Sequence, residues 1–345
     1  MVTDLSAEAS AKADQRWMRR ALFHAQRGVG VTTPNPSVGA TIVTDEGVPV
    51  GDGVTGPAGQ AHAEIHALDE AGPAARGATL YCTLEPCAHT GRTGPCTDRI
   101  IAAGIRRVVA AIEDPFPQVA GRGFAALRDA GVQVDVGIER DAAARLHQPF
   151  LTAVRQRRPF IIAKVATSLD GRIAAAPGVR TSLTSAAALR HAQFARARVD
   201  AIGVGAGTVL ADDPLLTARE VYRERPLTRV IFDRRGRVPP SAAVFSTSGD
   251  GPVIVVRSEL PKAMHELVDA GIQSLLVEGG AELHAALWDA GLVDYVQLYV
   301  APVWLGDTGV RWLEGRHFHS MELHHRRVEP LGPDVLIEGY VHRPH

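Results

Sequence analysis

The sequence predicts an α/β protein built as two domains, and three observations carry that prediction. The chain has 345 residues, enough for two domains of ordinary size. A hydrophobic content of 46% and a mean hydropathy near zero provide apolar side chains for two cores. In both halves short apolar runs alternate with segments of helical spacing, the signature of an α/β layer around a parallel or mixed sheet.

Taken in order, residues 1–12 carry no apolar pattern and are expected to be a flexible tail. From about Asp14 to Arg27, Trp17, Ala21, Leu22 and Ala25 are spaced for one buried helical face. "TTPNPSVG" breaks the helix and "SVGATIV" reads as a buried strand. "HAEIHALDEAG" is helical and closes at Gly72, where glycine tolerates the terminating backbone. "ATLYCTL" is a strand, followed by a cysteine-containing loop and a helix near Thr97–Ala103. "RRVVAAI" (strand), "GRGFAALRDAG" (helix) and "VQVDVGI" (strand) complete a first domain over 13–150.

"LHQPFLTAVRQRRP" is a charged helix or linker closed by Pro159, and the boundary is placed at 151–158. The second domain, 159–345, contains seven apolar runs that read as strands: "FIIAKVAT", "VDAIGVGAG", "TRVIFD", "PVIVVR", "QSLLVE", "VDYVQLYVAP" and "DVLIEGYV". Helices at about 185–197, 261–270 and 281–290 lie between them. No internal repeat or low-complexity tract interrupts the chain.

Lys and Arg total 37 against 38 Asp and Glu, so no basic excess supports a nucleic-acid footprint. The short basic runs at Arg155–Arg158, Arg234–Arg237 and Arg326–Arg327 read as solvated loop charge. No apolar stretch approaches a signal peptide or a membrane span. Three cysteines are too few for a disulfide framework, so a reducing compartment and a cytoplasmic protein are expected.

His62, Cys87 and Cys96 are ligand types that zinc prefers, and a set of three leaves a fourth position open, as in catalytic sites. Glu64 follows His62 by two residues at the start of a predicted helix, where its carboxylate can serve the metal-activated water. Zinc nucleobase deaminases carry H-x-E…P-C-x-x-C, with the glutamate moving protons rather than binding metal. The departure is the gap: eight residues separate Cys87 from Cys96. His66 also lies one helical turn from His62, but the cysteines already complete the set. Cys82, inside an apolar strand, reads as a core residue.

The second half offers two glycine clusters, "GVGAGTVLADDP" and "VEGGAEL", each near a strand-to-helix turn. Such turns let backbone N–H groups approach a phosphate. Neither matches G-x-G-x-x-G, and tight turns without a ligand are the other reading.

The blocks "PNPSVGA", "AHAEIHAL", "TLEPCAHTGRTGPC" and "EDPFPQVAGRG", in that order, resemble the deaminase domain of the bifunctional riboflavin-biosynthesis enzymes. "KVATSLDGRIA", "GAGTVLADDPLLTAR" and "LLVEGGAEL" look like the pyrimidine reductase domain that follows it in that family. The resemblance implies a cytidine-deaminase-like N-terminal domain and a dihydrofolate-reductase-like C-terminal domain. It implies Zn2+ and NADPH as cofactors and a small phosphoribosyl-pyrimidine as substrate. The reactions would be hydrolytic deamination of 2,5-diamino-6-(5-phosphoribosylamino)pyrimidin-4-one, then reduction of the ribosyl side chain to ribityl. Family members are often homo-oligomers, so one is expected here. A related nucleobase deaminase with an altered reductase-like domain, acting in specialised metabolism, is the alternative.

Carried over by motif, His62, Cys87 and Cys96 are the zinc ligands and Glu64 the proton shuttle. In this family the eight-residue gap is the rule, and its loop carries substrate-contacting groups. Asn35, His89 and Arg92 fall on substrate positions of the deaminase, and Arg196, Leu216, Arg219 and Glu278 on those of the reductase. Cofactor contacts fall on Ala166, Thr208, Asp212 and the turn Gly280, Ala281, Glu282, Leu283, His284, Ala285 and Ala286. Lys164 and Glu278 are candidates for proton handling or for orienting the opened ribose, with a structural ion pair as the other reading. Departures stand out at three places. Phe116 occupies the loop position where "DPNP" is usual, and Arg180, Ser182 and Leu183 replace a segment that commonly holds a cofactor-contacting Trp. Arg234 replaces a small residue after "VIFD"; it could meet the NADPH 2′-phosphate or stay solvated.

Overall fold

The computed structural model describes residues 2–89, 94–117, 119–246 and 251–344, with side chains from residue 8 onward. The chain divides into two compact units, Met1–Gln156 and Arg157–Pro344.

In the first unit the elements run α1 (Val2–Arg27), β1 (Gly39–Val43), β2 (Pro49–Val54), α2 (Ala63–Ala71), β3 (Thr79–Cys82), α3 (Cys96–Ala102), β4 (Arg107–Ala110), α4 (Arg122–Asp129), β5 (Gln133–Val136) and α5 (Arg140–Gln156). The five strands form one mixed sheet ordered β2-β1-β3-β4-β5. β1 is antiparallel to β2 and β3, while β3, β4 and β5 are parallel. α1 is helical from Val2, yet residues 8–13 stand exposed, and the packed face begins at Asp14. Met18, Ala21 and Ala25 are fully buried along that face. Residues 151–156, read above as part of a linker, continue α5.

β2 was not foreseen, and its residues explain both why it was missed and why it matters. "PVGDGV" carries no strand signal, because glycine is depleted in strands. In the fold Gly51 and Gly53 sit on one face of β2, where a side chain would collide with the backbone carbonyls of Ala67 and Ala63 in α2. Asp52, on the other face, accepts a hydrogen bond from the Thr41 hydroxyl at 2.8 Å and is gripped by Arg20 of α1. The period of two along the strand thus assigns one helix to each face. Gly39 gives α1 the same close approach on β1.

The second unit contains β6 (Phe160–Thr167), β7 (Arg172–Ala174), α6 (Ala186–Ala197), β8 (Ala201–Gly205), α7 (Ala206–Asp212), β9 (Thr228–Phe232), β10 (Val253–Val256), α8 (Leu260–Asp269), β11 (Ser274–Val277), α9 (Ala281–Asp289), β12 (Tyr295–Val300), β13 (Val310–Arg311), β14 (His324–Leu331) and β15 (Asp334–Tyr340). Eight strands form a sheet ordered β10-β9-β8-β11-β6-β12-β15-β14. From β10 to β12 all neighbours are parallel, and β15 and β14 add an antiparallel edge. β7 and β13 pair separately. The central strands are buried on both faces, which is why they read as continuous apolar runs rather than alternating ones. From β8 the chain leaves toward β9, and from neighbouring β11 it leaves toward β12. Beyond the carboxyl ends of β8 and β11 lies the crevice where open α/β sheets bind ligands.

No helix among the described residues is long and apolar enough to cross a membrane.

Candidate functional sites

In the first unit, His62 is the N-cap residue of α2 and Cys96 is the first residue of α3. Cys87 comes from the loop after β3. His62 Nδ1 lies 3.3 Å from Cys96 Sγ and 3.6 Å from Cys87 Sγ, and the Cys96 N–H donates to Cys87 Sγ at 3.4 Å. All three ligand atoms lie within 4.8 Å of one another, and among the described residues no other His, Cys, Asp or Glu group comes together in this way. A tetrahedral centre with Zn–S of about 2.3 Å and Zn–N of about 2.0 Å sets N···S separations of about 3.5 Å, so the trio fits zinc as it stands. Donation from Cys96 and His62 pulls the Cys87 thiol well down, and Cys96 is pushed up in return. Helix N-termini beneath His62 and Cys96 favour the anionic form further.

Glu64, in the first turn of α2, is 3% exposed, and its Oε2 has no hydrogen-bond partner among the described residues. Burial raises its carboxyl to about 7 despite the opposing pull of His62. A carboxyl poised there can both take and give a proton at neutral pH. His66 is exposed and outside the trio, while Cys82 is fully buried within β3.

Glu85 was missed at the sequence level beyond its place in a quoted block. It is buried and accepts four backbone N–H bonds, from Asp114 (3.2 Å), Gly121 (3.0 Å), Gly123 (2.8 Å) and Phe124 (3.2 Å). One carboxylate thus ties the 114–124 segment and the start of α4 to the strand end that carries Cys87. A side chain at Gly123 would collide with the Pro86 carbonyl, so the approach is close enough to demand glycine. The only advance signal was a charged residue ending an apolar strand. His89 is half-buried with Nδ1 unpartnered, and its ring lies 6.3 Å from that of Phe116. Asn35 sits in a turn, its N–H on the Thr32 carbonyl at 3.0 Å. Arg92 lies outside the described residues.

In the second unit, Glu278 follows β11 directly and is gripped by both arms of Arg196 from α6, at 2.8 Å each. Lys164 of β6 lies 3.9 Å away and also stands 5.3 Å over the Tyr299 ring. Burial alone would raise the Glu278 carboxyl, but Lys164 and Arg196 outweigh it and hold it at about 2. Arg196 also donates to the Thr217 carbonyl at 2.6 Å, anchoring a loop in which Asp213, Leu216 and Glu220 all have positive φ. Three non-glycine residues in left-handed backbone cost of order 1–3 kcal/mol each, a strain that clusters at ligand clamps. Leu216 packs into the core beneath this loop, whereas Arg219 is exposed.

Gly280 is the N-cap of α9, and its N–H donates to Thr208 Oγ1 of α7 at 3.1 Å. Residues 281–286 are the first turns of α9, in line with the helix expected at about 281–290, because good helix formers follow the glycines directly. Within them Leu283 and His284 are buried, and Glu282 and Ala286 are exposed. Asp212 ends α7 half-buried, and Ala166 pairs with Tyr299 across β6 and β12. Bare glycine backbone at the N-terminus of α9, beyond the ends of β8 and β11, suits a dinucleotide phosphate. Arg234 is engaged with Glu259 at 2.7 Å in an exposed ion pair, an interaction weak enough to exchange. Arg180 and Ser182 are both exposed, and Leu183 is half-buried, in an irregular segment before α6.

Residues 11–112 match the cytidine and deoxycytidylate deaminase zinc-binding region. Residues 159–337 match the RibD C-terminal domain. The riboflavin biosynthesis protein RibD of Aquifex aeolicus is 38% identical over 351 residues, covering 94% of this chain and 97% of that protein. Among solved structures, Acinetobacter baumannii RibD (form 1) superposes with a TM-score of 0.86 at 38% identity, covering 95% of this chain and 98% of the other. A Thermotoga maritima diaminohydroxyphosphoribosylaminopyrimidine deaminase/5-amino-6-(5-phosphoribosylamino)uracil reductase gives 0.84 at 32% identity, covering 97% and 100%.

Proposed function

The chain belongs to the RibD family of riboflavin-biosynthesis proteins, and from that premise we propose how its residues divide the work of two reactions. It is a bifunctional enzyme with zinc and NADPH as cofactors, a deaminase in the first unit and a reductase in the second. The substrate is the small phosphoribosyl-pyrimidine 2,5-diamino-6-(5-phosphoribosylamino)pyrimidin-4-one. The relatives match along both halves, which leaves the specialised-metabolism alternative without support.

His62, Cys87 and Cys96 hold the metal, whose Lewis acidity makes water nucleophilic near neutral pH. Glu64 takes the proton from the attacking water at its unpartnered Oε2 and delivers it to the departing amino group, which leaves as ammonia. Asn35, His89 and Arg92 grip the pyrimidine and its phosphoribosyl arm. In the second unit NADPH, when bound, would supply the hydride chemistry that the ribosyl reduction needs. Glu278, held ionised at neutral pH, is the orienting anion rather than a proton source. Lys164 then donates the balancing proton, and Arg196 fixes Glu278 against the strained 213–220 loop. Thr208, Asp212, Ala166 and the α9 N-terminus cradle the cofactor, with Leu216 and Arg219 on the substrate side. The three cysteines are unpaired, which supports a reducing, cytoplasmic setting. Assembly as a homo-oligomer is part of the same reading and rests on the family resemblance alone.

The observation that carries this reading is the His62–Cys87–Cys96 trio with buried Glu64 beside it. One assay following ammonia and NADPH together tests it. Glu64→Ala should keep zinc and abolish ammonia release, while NADPH oxidation on pre-deaminated substrate continues. Equal loss of both activities would overturn the two-site arrangement.

A further inference from the structure

We propose that Phe116 is a specificity-determining residue of the deaminase site, fixing His89 so that its imidazole reads the pyrimidine ring. The inference rests on the deaminase reading above and concerns a residue that departs from the usual "DPNP" motif.

His89 stands two residues beyond Cys87, and two residues of chain span at most about 7 Å, so the imidazole cannot be remote from the metal ligands. Its Nδ1 is buried and has no hydrogen-bond partner among the described residues. A buried ring nitrogen left unpaired is costly, and the cost is relieved when a polar group arrives to meet it. The ring substituents of an aminopyrimidinone are groups of that kind.

The ring contact that places the imidazole is Phe116, with centroids 6.3 Å apart and planes tilted by 46°. Phe116 is 36% exposed, which is unusual for a phenylalanine, and its backbone leaves little freedom. Its N–H donates to Asp114 Oδ1 at 2.8 Å, and its carbonyl accepts from the Val119 and Ala120 N–H groups at 2.8 and 3.1 Å. Glu85 pins the same segment through the Asp114 and Gly121 N–H groups. The ring is therefore exposed by construction. It supplies an apolar wall beside the imidazole, and an aromatic pair of this kind is worth from a few-fold to about tenfold in affinity.

The test is steady-state ammonia release by the full-length zinc enzyme, with zinc content and NADPH oxidation on pre-deaminated substrate as integrity controls. Phe116→Ala should raise KM by about tenfold with kcat within about threefold of wild type, a loss of binding rather than of chemistry. Phe116→Leu, which keeps bulk without the ring, should also raise KM, and Phe116→Tyr should restore it. In a His89→Ala background, Phe116→Ala should change KM by less than about twofold, because the two act as one unit. An unchanged KM in both the Ala and Leu variants, or fully additive effects with His89→Ala, would overturn the proposal while leaving the deaminase assignment intact. Wild-type protein that releases no ammonia would remove both together.

Discussion

Substituting Gly53 by alanine tests whether the catalytic geometry is set by glycines that take no part in the chemistry. A Cβ there would point at the Ala63 carbonyl oxygen of α2, well inside the 3.0 Å that real Cβ contacts essentially never breach. The obstacle is helix backbone, not a flexible side chain, so α2 itself has to retreat by about 1 Å, a shift that overpacking of this kind forces at a cost of about 1–3 kcal/mol. His62 and Glu64 sit at the very end of α2 that is pushed. Cys87 and Cys96 are carried by other elements, the β3 loop and α3. The trio would therefore open on one side, and a misplacement of about 1 Å can cost about a hundredfold in rate. The expected result for Gly53→Ala is ammonia release reduced by about a hundredfold in kcat/KM, with lowered zinc affinity and reductase turnover retained. The assay is ammonia and NADPH measured on the same preparation, with zinc content by metal analysis. Deaminase activity within about threefold of wild type would refute the claim that these glycines seat the site.

Other perturbations separate the remaining roles. Glu64→Gln keeps shape but cannot accept a proton, so kcat for ammonia release should fall by about 10²–10⁴ with zinc retained. Glu85→Ala strips four backbone N–H groups of their acceptor; zinc affinity should fall by about 10–100-fold, read by competition with a chelator. Glu278→Gln leaves Arg196 and Lys164 without their buried anion and should destabilise the second unit by about 3–5 kcal/mol in denaturant unfolding, with reductase activity lost. The pH dependence of stability has a definite sign. The Glu278 carboxyl is lowered from 4.5 to about 2, so its contribution is complete above 4.5 and lost as pH falls toward 2. Wild-type melting temperature should drop across that window more steeply than that of Glu278→Gln, and parallel profiles would count against an ionised Glu278.

The candidate zinc site was legible because its chemistry is local in sequence. His62 and Glu64 share one helix start, Pro86 and Cys87 share one loop, and donor types alone limit the metal. The strands of the second unit were legible for a related reason, since parallel strands covered on both faces must be apolar throughout. What escaped is what depends on a partner elsewhere in the chain. β2 was passed over because glycine is depleted in strands, yet Gly51 and Gly53 are there for the backbone of α2. β14, with its "HHRRVEPL", is an exposed edge strand defined by pairing with β15 and by no pattern of its own. Glu85 gave no sign that it would collect four N–H groups, because its acceptor role exists only once residues 114–124 fold back over it. The strain at Leu216 was equally hidden, since a leucine at φ 55° contradicts its local preference and is held by Arg196 and the core beneath. In each case the local rule fails where one segment is bent to serve another, and β2, Glu85 and the Leu216 loop all border one of the two sites. A departure such as Phe116 therefore has to be weighed by the residue it touches, and that residue is His89.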